Sequence, residues 1–322
     1  MPLGEFELIA KYLAPLSANL PGAFGLTDDA AALPVPAGQE LVVTTDAMIA
    51  GVHFLESDGP ERIARKLLRV NISDLAAKGA TPYAYQLTLG LPGAPDESWI
   101  AAFAAGLAAD QMLYGITLSG GDTVRAPGGI SLSLTAFGLV AAGRMIRRNR
   151  ALAGDSLYVT GSIGDAWLGL QAKLGLLTLA PEAAAYCDAR LHLPEPRLAF
   201  GLGLRGMARA AMDVSDGLLQ DAGHMAAQSG LAVEIEAGRV PLSAAAQDHA
   251  VGRNLLPLLS GGDDYEILFA ASDALEGALQ DLGRRTGTRI SRIGRFLAGG
   301  GLSLIDTGGQ PLAIETSGYQ HF

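Results

Sequence analysis

Short runs in which apolar and polar residues alternate are separated by longer stretches with helical spacing throughout the first half of the chain. "ELVVTTD" (40–46), "YAYQLTLGL" (83–91), "GITLSG" (115–120) and "ISLSLTAFGLV" (130–140) have strand character, and residues 61–79 and 96–114 have the spacing of helices. The alternation lapses in "AAGRMIRRNRALAGD" (141–155), then resumes with "SLYVTGS" and continues to "RISRIGRFL" and "GLSLI". This order predicts an α/β (α+β) fold in two domains, residues 1–142 and 143–322, and 322 residues are more than one core usually supports.

The helix over 61–79 carries the most informative pattern. Ile63, Leu67, Val70, Leu75 and Ala77 form an apolar sector, with Arg62, Arg65 and Arg69 on the other side. Asn71, Asp74 and Lys78 nevertheless fall in the middle of the apolar sector, as one polar line at i, i+3 and i+7. An Asp74–Lys78 ion pair at i, i+4 is one explanation; a cavity bordering this face is the other, since a buried carboxylate needs a partner or a metal.

Acidic turns recur after strands. "AMDVSDGLLQD" (211–221) sets Asp213, Asp216 and Asp221 among apolar residues, and "SGGDDYEILF" (260–269) does the same with Asp263, Asp264 and Glu266. Ser215 or Asp216 could serve as a helix N-cap, which leaves Asp213 unexplained, and Asp264 and Glu266 could order their own loop and strand. "TTDAMIAGVHF" places Thr44, Thr45 and Asp46 at a strand end. "GLTDDAAAL" adds Asp28 and Asp29, where a turn is the ordinary explanation, and "SGGDTVR" adds Asp122 after two glycines. Five or six hard oxygen sites without a histidine pair or cysteines match the ligand preference of Mg²⁺ rather than zinc.

Composition narrows the possibilities. A net charge of −10 disfavours nucleic acid and anionic membranes as partners, and "RMIRRNR" (144–150), the one basic cluster, reads either as a solvated turn or as an anion site. The single cysteine, Cys187, excludes an internal disulfide and suits a reducing cytoplasm. "MPLGEFELIAKYL" reads as an amphipathic helix rather than a secretory signal, and no stretch is long and clean enough for a membrane span. There is no G-x-x-x-x-G-K-[ST] loop. "GLGLRG" (201–206) matches G-x-G-x-x-G but follows a helix start rather than a strand, which argues against a dinucleotide site.

Taken in order, "GEFELIAKY", "TDDAA", "TTDAMIAGVHF", "NISDLAAKGATP", "GGDTVR", "MDVSDGLL", "GGDDYEILF" and "SGYQHF" resemble the thiamine-monophosphate kinase family, over nearly the whole chain. That family belongs with aminoimidazole ribonucleotide synthetase and selenophosphate synthetase. The resemblance implies a two-domain ATP-binding fold, an N-terminal domain that pairs in a homodimer, a C-terminal domain closing the active-site cleft, and ATP bound with several Mg²⁺ ions. It assigns Asp29, Thr44, Thr45, Asp46, Asp74, Asp122, Asp213 and Asp216 to metal, and Gly121, Asp122, Arg148 and Ser215 to ATP. His53, Asp263 and Tyr319 fall to thiamine monophosphate, with Asp213, Asp216 and Arg148 nearest the chemistry. Thr27 and Asp263 depart from the family pattern, which usually has glycine and glutamate there.

The implied reaction moves the γ-phosphoryl of ATP in line onto the phosphate of thiamine monophosphate. That acceptor is already largely a dianion at neutral pH, so no general base is needed. A sister ATP-dependent synthetase acting on a ribonucleotide and a nonenzymatic Mg-nucleotide sensor are the alternatives. A selenophosphate synthetase fits less well, because Cys187 lies mid-chain rather than in a glycine-rich N-terminal segment.

Overall fold

The computed structural model describes residues 4–250, 255–314 and 317–319. It divides into two compact units: Met1–Leu75 with Ala80–Gly143, and Arg144–Phe322 with Ala76–Gly79. In the first unit α1 (Glu5–Leu8) runs into a π-helical turn (Ile9–Leu13) and 3₁₀ turns (Ala14–Ser17 and Pro21–Leu26), so the continuous helix expected at the N-terminus is broken after one turn. Pro15, in the first turn of the Ala14–Ser17 segment, has no amide to continue an α-helix. There follow β1 (Gln39–Ile49), α2 (Pro60–Ala77), β2 (Thr81–Leu91), α3 (Glu97–Tyr114), β3 (Thr117–Arg125) and β4 (Ser131–Ala141).

These four strands form one sheet in the order β1-β4-β2-β3, antiparallel except between β2 and β3. The alternation in β4 decides which face is core: Leu132, Leu134, Ala136 and Val140 are buried, while Ser131, Ser133 and Thr135 point the other way. On the outward side of β1, Val43 is 55% and Ile49 39% exposed. The Asp96 carboxylate caps α3 by accepting the Ser98 amide at 2.9 Å, and Gly115 ends the helix in the left-handed region.

The arginines of α2 are not all on a solvated side. Arg69 is buried and binds the buried Asp110 of α3 through Nε at 2.7 Å, and Arg65 Nε reaches the same carboxylate at 3.1 Å. Because Ala64, Leu68 and Ile72 are also fully buried, α2 is enclosed on nearly every side. Asp110 compensates the enclosed charge.

The second unit comprises β5 (Ser156–Thr160), α4 (Asp165–Lys173), α5 (Pro181–His192), α6 (Leu198–Gly203), β6 (Ala210–Asp213), α7 (Leu218–Ser229), β7 (Ala232–Glu236), α8 (Ala244–Ala250), α9 (Leu256–Ser260), β8 (Ile267–Ala271), α10 (Glu276–Thr286), β9 (Ile290–Leu297), β10 (Gly301–Ile305) and β11 (Pro311–Leu312). Its seven-stranded sheet has the order β11-β10-β7-β9-β5-β8-β6. Every residue of β5 and β8 is buried, as expected for interior strands covered on both faces.

The two-residue period sorts these strands between two cores. Leu157, Val159, Leu268 and Ala270 pack on one side with α7, and Tyr158, Ile267 and Phe269 on the other with α6 and α10. The G-x-G-x-x-G match falls on α6, where a Cβ on Gly201 would lie 2.1 Å from Ala76 O; this glycine serves close helix packing. Among the described residues no helix is long and apolar enough to cross a membrane.

Candidate functional site

The first unit carries two groups of the expected oxygens. On the face of β1 toward α2, Thr44 Oγ1 donates to Asp74 Oδ2. Asp46, two residues along and on the same face, has its carboxyl pushed up to about 7 by burial and by the nearby charge of Asp74. No basic side chain contributes to that shift, so Asp46 is desolvated beside another acid with no counter-charge from the protein. One turn before Asp74, the buried Asn71 donates Nδ2 to Leu67 O at 2.9 Å, while its Oδ1 has no partner among the described residues. The Lys78 ammonium donates to Ala211 O at 2.8 Å, and Asp74 has Thr44 as its hydrogen-bond partner. Asp74 is thus held by Thr44, and Lys78 reaches the Ala211 carbonyl instead of the carboxylate one turn before it.

The second group lines a cleft of about 340 Å³ that includes Asp28, Asp29, Gly121, Asp122 and Thr135. Asp28 Oδ1 accepts the Asp29 amide at 2.8 Å, the turn role expected of it. Thr45 points away from Thr44 and takes a 3.1 Å hydrogen bond from Thr135 Oγ1. Strand alternation thus separates the two threonines. Thr27 has φ −108°, an ordinary value, so its side chain needs no glycine conformation, and its hydroxyl closes the turn onto Phe24 O at 2.8 Å. His53 sits in the turn after β1, where its Nδ1 accepts the Ile49 amide at 3.1 Å.

In the second unit the two acidic motifs are neighbours. β6 and β8 pair so that Asp213 stands opposite Ile267, and the Asp263 and Tyr265 amides donate to Ser215 O and Val214 O, each at 2.8 Å. The turn after β6 is organised by Asp221, whose Oδ2 accepts the Ser215 and Asp216 amides at 3.1 and 3.2 Å. Ser215 and Asp216 are not the N-cap of α7: Gly217 holds that position without a side-chain cap, and Asp221 orders the turn that leads into it. Burial, followed by the charge of Asp216, pushes the Asp221 carboxyl up to about 7, and Arg148 is close enough to oppose the shift. Tyr319 joins the same turn: its amide donates to Asp216 O at 2.9 Å, and Gln220 Nε2 holds its carbonyl at 2.9 Å. Arg148, Asp213, Ser215, Asp216, Asp263 and Tyr319 are thus all on or beside the paired β6–α7 and 260–266 segments.

Asp264 and Glu266 face inward. Both Asp264 oxygens accept the Gly164 amide, at 2.9 and 3.1 Å, and burial raises its carboxyl well above the usual range. Glu266 is fully buried, yet bonds from Arg197 and the charges of Arg190 and Arg197 outweigh burial and hold it below its ordinary value. Sequence reasoning missed these two arginines. Each is about seventy residues from Glu266, and no local pattern marks the pairing.

Residues 27–140 match the N-terminal domain and residues 153–307 the C-terminal domain of AIR synthase related proteins. The thiamine-monophosphate kinase of Caulobacter vibrioides is 45% identical over 309 residues, covering 94% of this chain and 86% of that one. The crystal structure of the thiamine-monophosphate kinase from Stenotrophomonas maltophilia superposes with a TM-score of 0.81 at 41% identity, covering 89% and 90% of the two chains. The structure of AaThiL complexed with AMPPCP and TMP gives 0.78 at 29% identity, over 99% and 97%. The fold and these relatives define a two-domain protein of the AIR synthase type. Within it the chain belongs to the thiamine-monophosphate kinase family, and as such is a phosphotransferase.

Proposed function

We propose that the chain transfers the γ-phosphoryl of ATP in line to the phosphate of thiamine monophosphate, with Mg²⁺ ions held by Asp29, Thr44, Thr45, Asp46, Asp74 and Asp122 in the first unit and by Asp213 and Asp216 in the second. The observation that carries this reading is the placing of Asp46, desolvated and without a protein cation, beside the Asp74 carboxylate that Thr44 holds. Their oxygens fit a hard divalent ion, as does the unpartnered Asn71 Oδ1 nearby. Among the described residues no three His, Cys, Asp or Glu side chains form a ready-made cage. That suits Mg²⁺, which binds through one or two carboxylates together with substrate phosphates. When bound, Mg²⁺ would neutralise the phosphate oxygens and relieve the repulsion between two polyanions.

The protein groups then have simple duties. Gly121, Asp122 and Ser215 are assigned to ATP, Arg148 adds a charge-assisted contact to phosphate, and His53, Asp263 and Tyr319 are assigned to the acceptor. Tyr319 is 47% exposed and so offers a ring to an aromatic ligand. No general base is required, because the acceptor oxygen is already anionic at neutral pH. The apolar outward face of β1, with Val43 and Ile49, supports pairing of two chains into a homodimer. The test is an acceptor screen with coupled ADP release: turnover with thiamine monophosphate and none with ribonucleotide acceptors is expected. Turnover with a ribonucleotide would move the chain to a sister activity.

A further inference from the structure

The segment 262–266 is held in a conformation that its own residues do not favour. Gly262, Asp263 and Tyr265 all have positive φ, at 74°, 62° and 49°. Glycine adopts this region freely and aspartate tolerates it, but a tyrosine there is strained and persists only when its surroundings over-determine it. A Cβ on Gly262 would lie 2.5 Å from Ser215 O, so the segment also presses directly on the β6–α7 turn.

What over-determines it is a buried polar assembly reaching from three separate elements. Arg190 of α5 donates one nitrogen both to Asp264 O at 3.1 Å and to Glu266 Oε1 at 2.8 Å, so it grips the backbone of the segment as well as its carboxylate. Arg197 adds a two-pronged contact, Nε to Oε2 and Nη2 to Oε1, both at 2.7 Å. Thr160 of β5 donates to Oε2 at 2.6 Å. Gly161 makes room for the assembly: a Cβ there would be 1.9 Å from Glu266 Oε1. Arg197 itself takes φ 53° to reach its place. A purely stabilising device would rarely combine buried charge with backbone strain, since well-packed apolar residues do as well or better.

We infer that Arg190, Glu266 and Arg197 are positioning residues that fix the 262–266 arc and thereby set where Asp263 meets the acceptor. The inference deepens the proposed function and rests on the assignment of Asp263 to thiamine monophosphate. Each side chain acts through the arc, since Glu266 is fully buried and both arginines nearly so.

The test compares steady-state kinetics of Arg190→Met, Arg190→Lys and Asp263→Asn in the full chain. Asparagine is chosen because it tolerates positive φ and removes only the charge. Arg190→Met is expected to raise KM for thiamine monophosphate about tenfold while KM for ATP stays within about twofold. Arg190→Lys, which can keep one of the two bonds, is expected to recover most of that loss, and it carries the same readout if Arg190→Met does not fold. Asp263→Asn is expected to show the same acceptor-selective rise. If Asp263→Asn raises KM for the acceptor but the Arg190 variants leave it unchanged, or raise both substrates' KM equally, the positioning role is overturned and the assignment of Asp263 stands. If Asp263→Asn leaves KM for the acceptor unchanged, that assignment fails, and the inference built on it fails too.

Discussion

The acids of the first unit and those of the 262–266 arc look alike in composition and differ in how they are compensated. Asp46 is desolvated beside the like charge of Asp74, and Asp74 takes a threonine hydroxyl rather than a cation. Glu266 is more deeply buried and is met by two arginines and a threonine. A carboxylate satisfied entirely by its own chain has done its job when the chain folds. One left short of positive charge is poised for a cation from solution.

Substitutions sharpen this contrast, beginning with the largest effect. Asp213→Asn is expected to lower kcat by about three orders of magnitude with unchanged circular dichroism, because on the proposed assignment it removes one negative metal ligand. Wild-type turnover would remove Asp213 from the mechanism. Glu266→Gln is expected to destabilise the fold by about 3–5 kcal/mol in urea titrations, the usual consequence of leaving buried arginines without their partner. A change below about 1 kcal/mol would show that the arc is held by other contacts. Asp74→Asn is expected to raise the Mg²⁺ concentration for half-maximal activity about tenfold, and an unchanged requirement would return Asp74 to a structural role.

The pH dependence of stability separates the two kinds of acid by sign. Asp46 titrates higher in the folded state than in the unfolded chain. Its contribution is therefore fully present below its unfolded value of 3.8 and is lost as pH rises through about 7. Glu266 titrates lower when folded, so its contribution is present above its unfolded value of 4.5 and is lost as pH falls through its lowered folded value. Without Mg²⁺, Asp46→Asn is thus expected to raise the melting temperature by a few degrees at pH 8 and by clearly less at pH 5. Equal effects at both values would mean that Asp46 is already compensated.

Most elements with a clear period were legible in the sequence: β1, β2, β4, α3 and the body of α2 lie where alternation or helical spacing places them. The N-terminal helix was not, since the spacing of Phe6, Leu8, Ile9 and Leu13 fits an α-helix and only the structure shows the π-helical turn at Ile9–Leu13. The two acidic motifs were visible as candidates, but their division of labour was not. Asp213, Asp221, Asp264 and Glu266 sit in the same kind of glycine-flanked apolar context. What distinguishes them is the partner: local amides for Asp221, the Gly164 amide for Asp264, and for Glu266 arginines brought near only by tertiary folding. The burial of Arg69 was hidden for the same reason, because its partner Asp110 lies on another helix.

Gly161 carries a last consequence. Since even one methyl group at that position would overlap the Glu266 carboxylate, the residue is closed to gradual change: no intermediate-sized side chain offers a tolerable step. In a saturation library selected for growth without external thiamine diphosphate, position 161 would stand out as nearly invariant although its own backbone lies far along the chain from every acid in the two motifs.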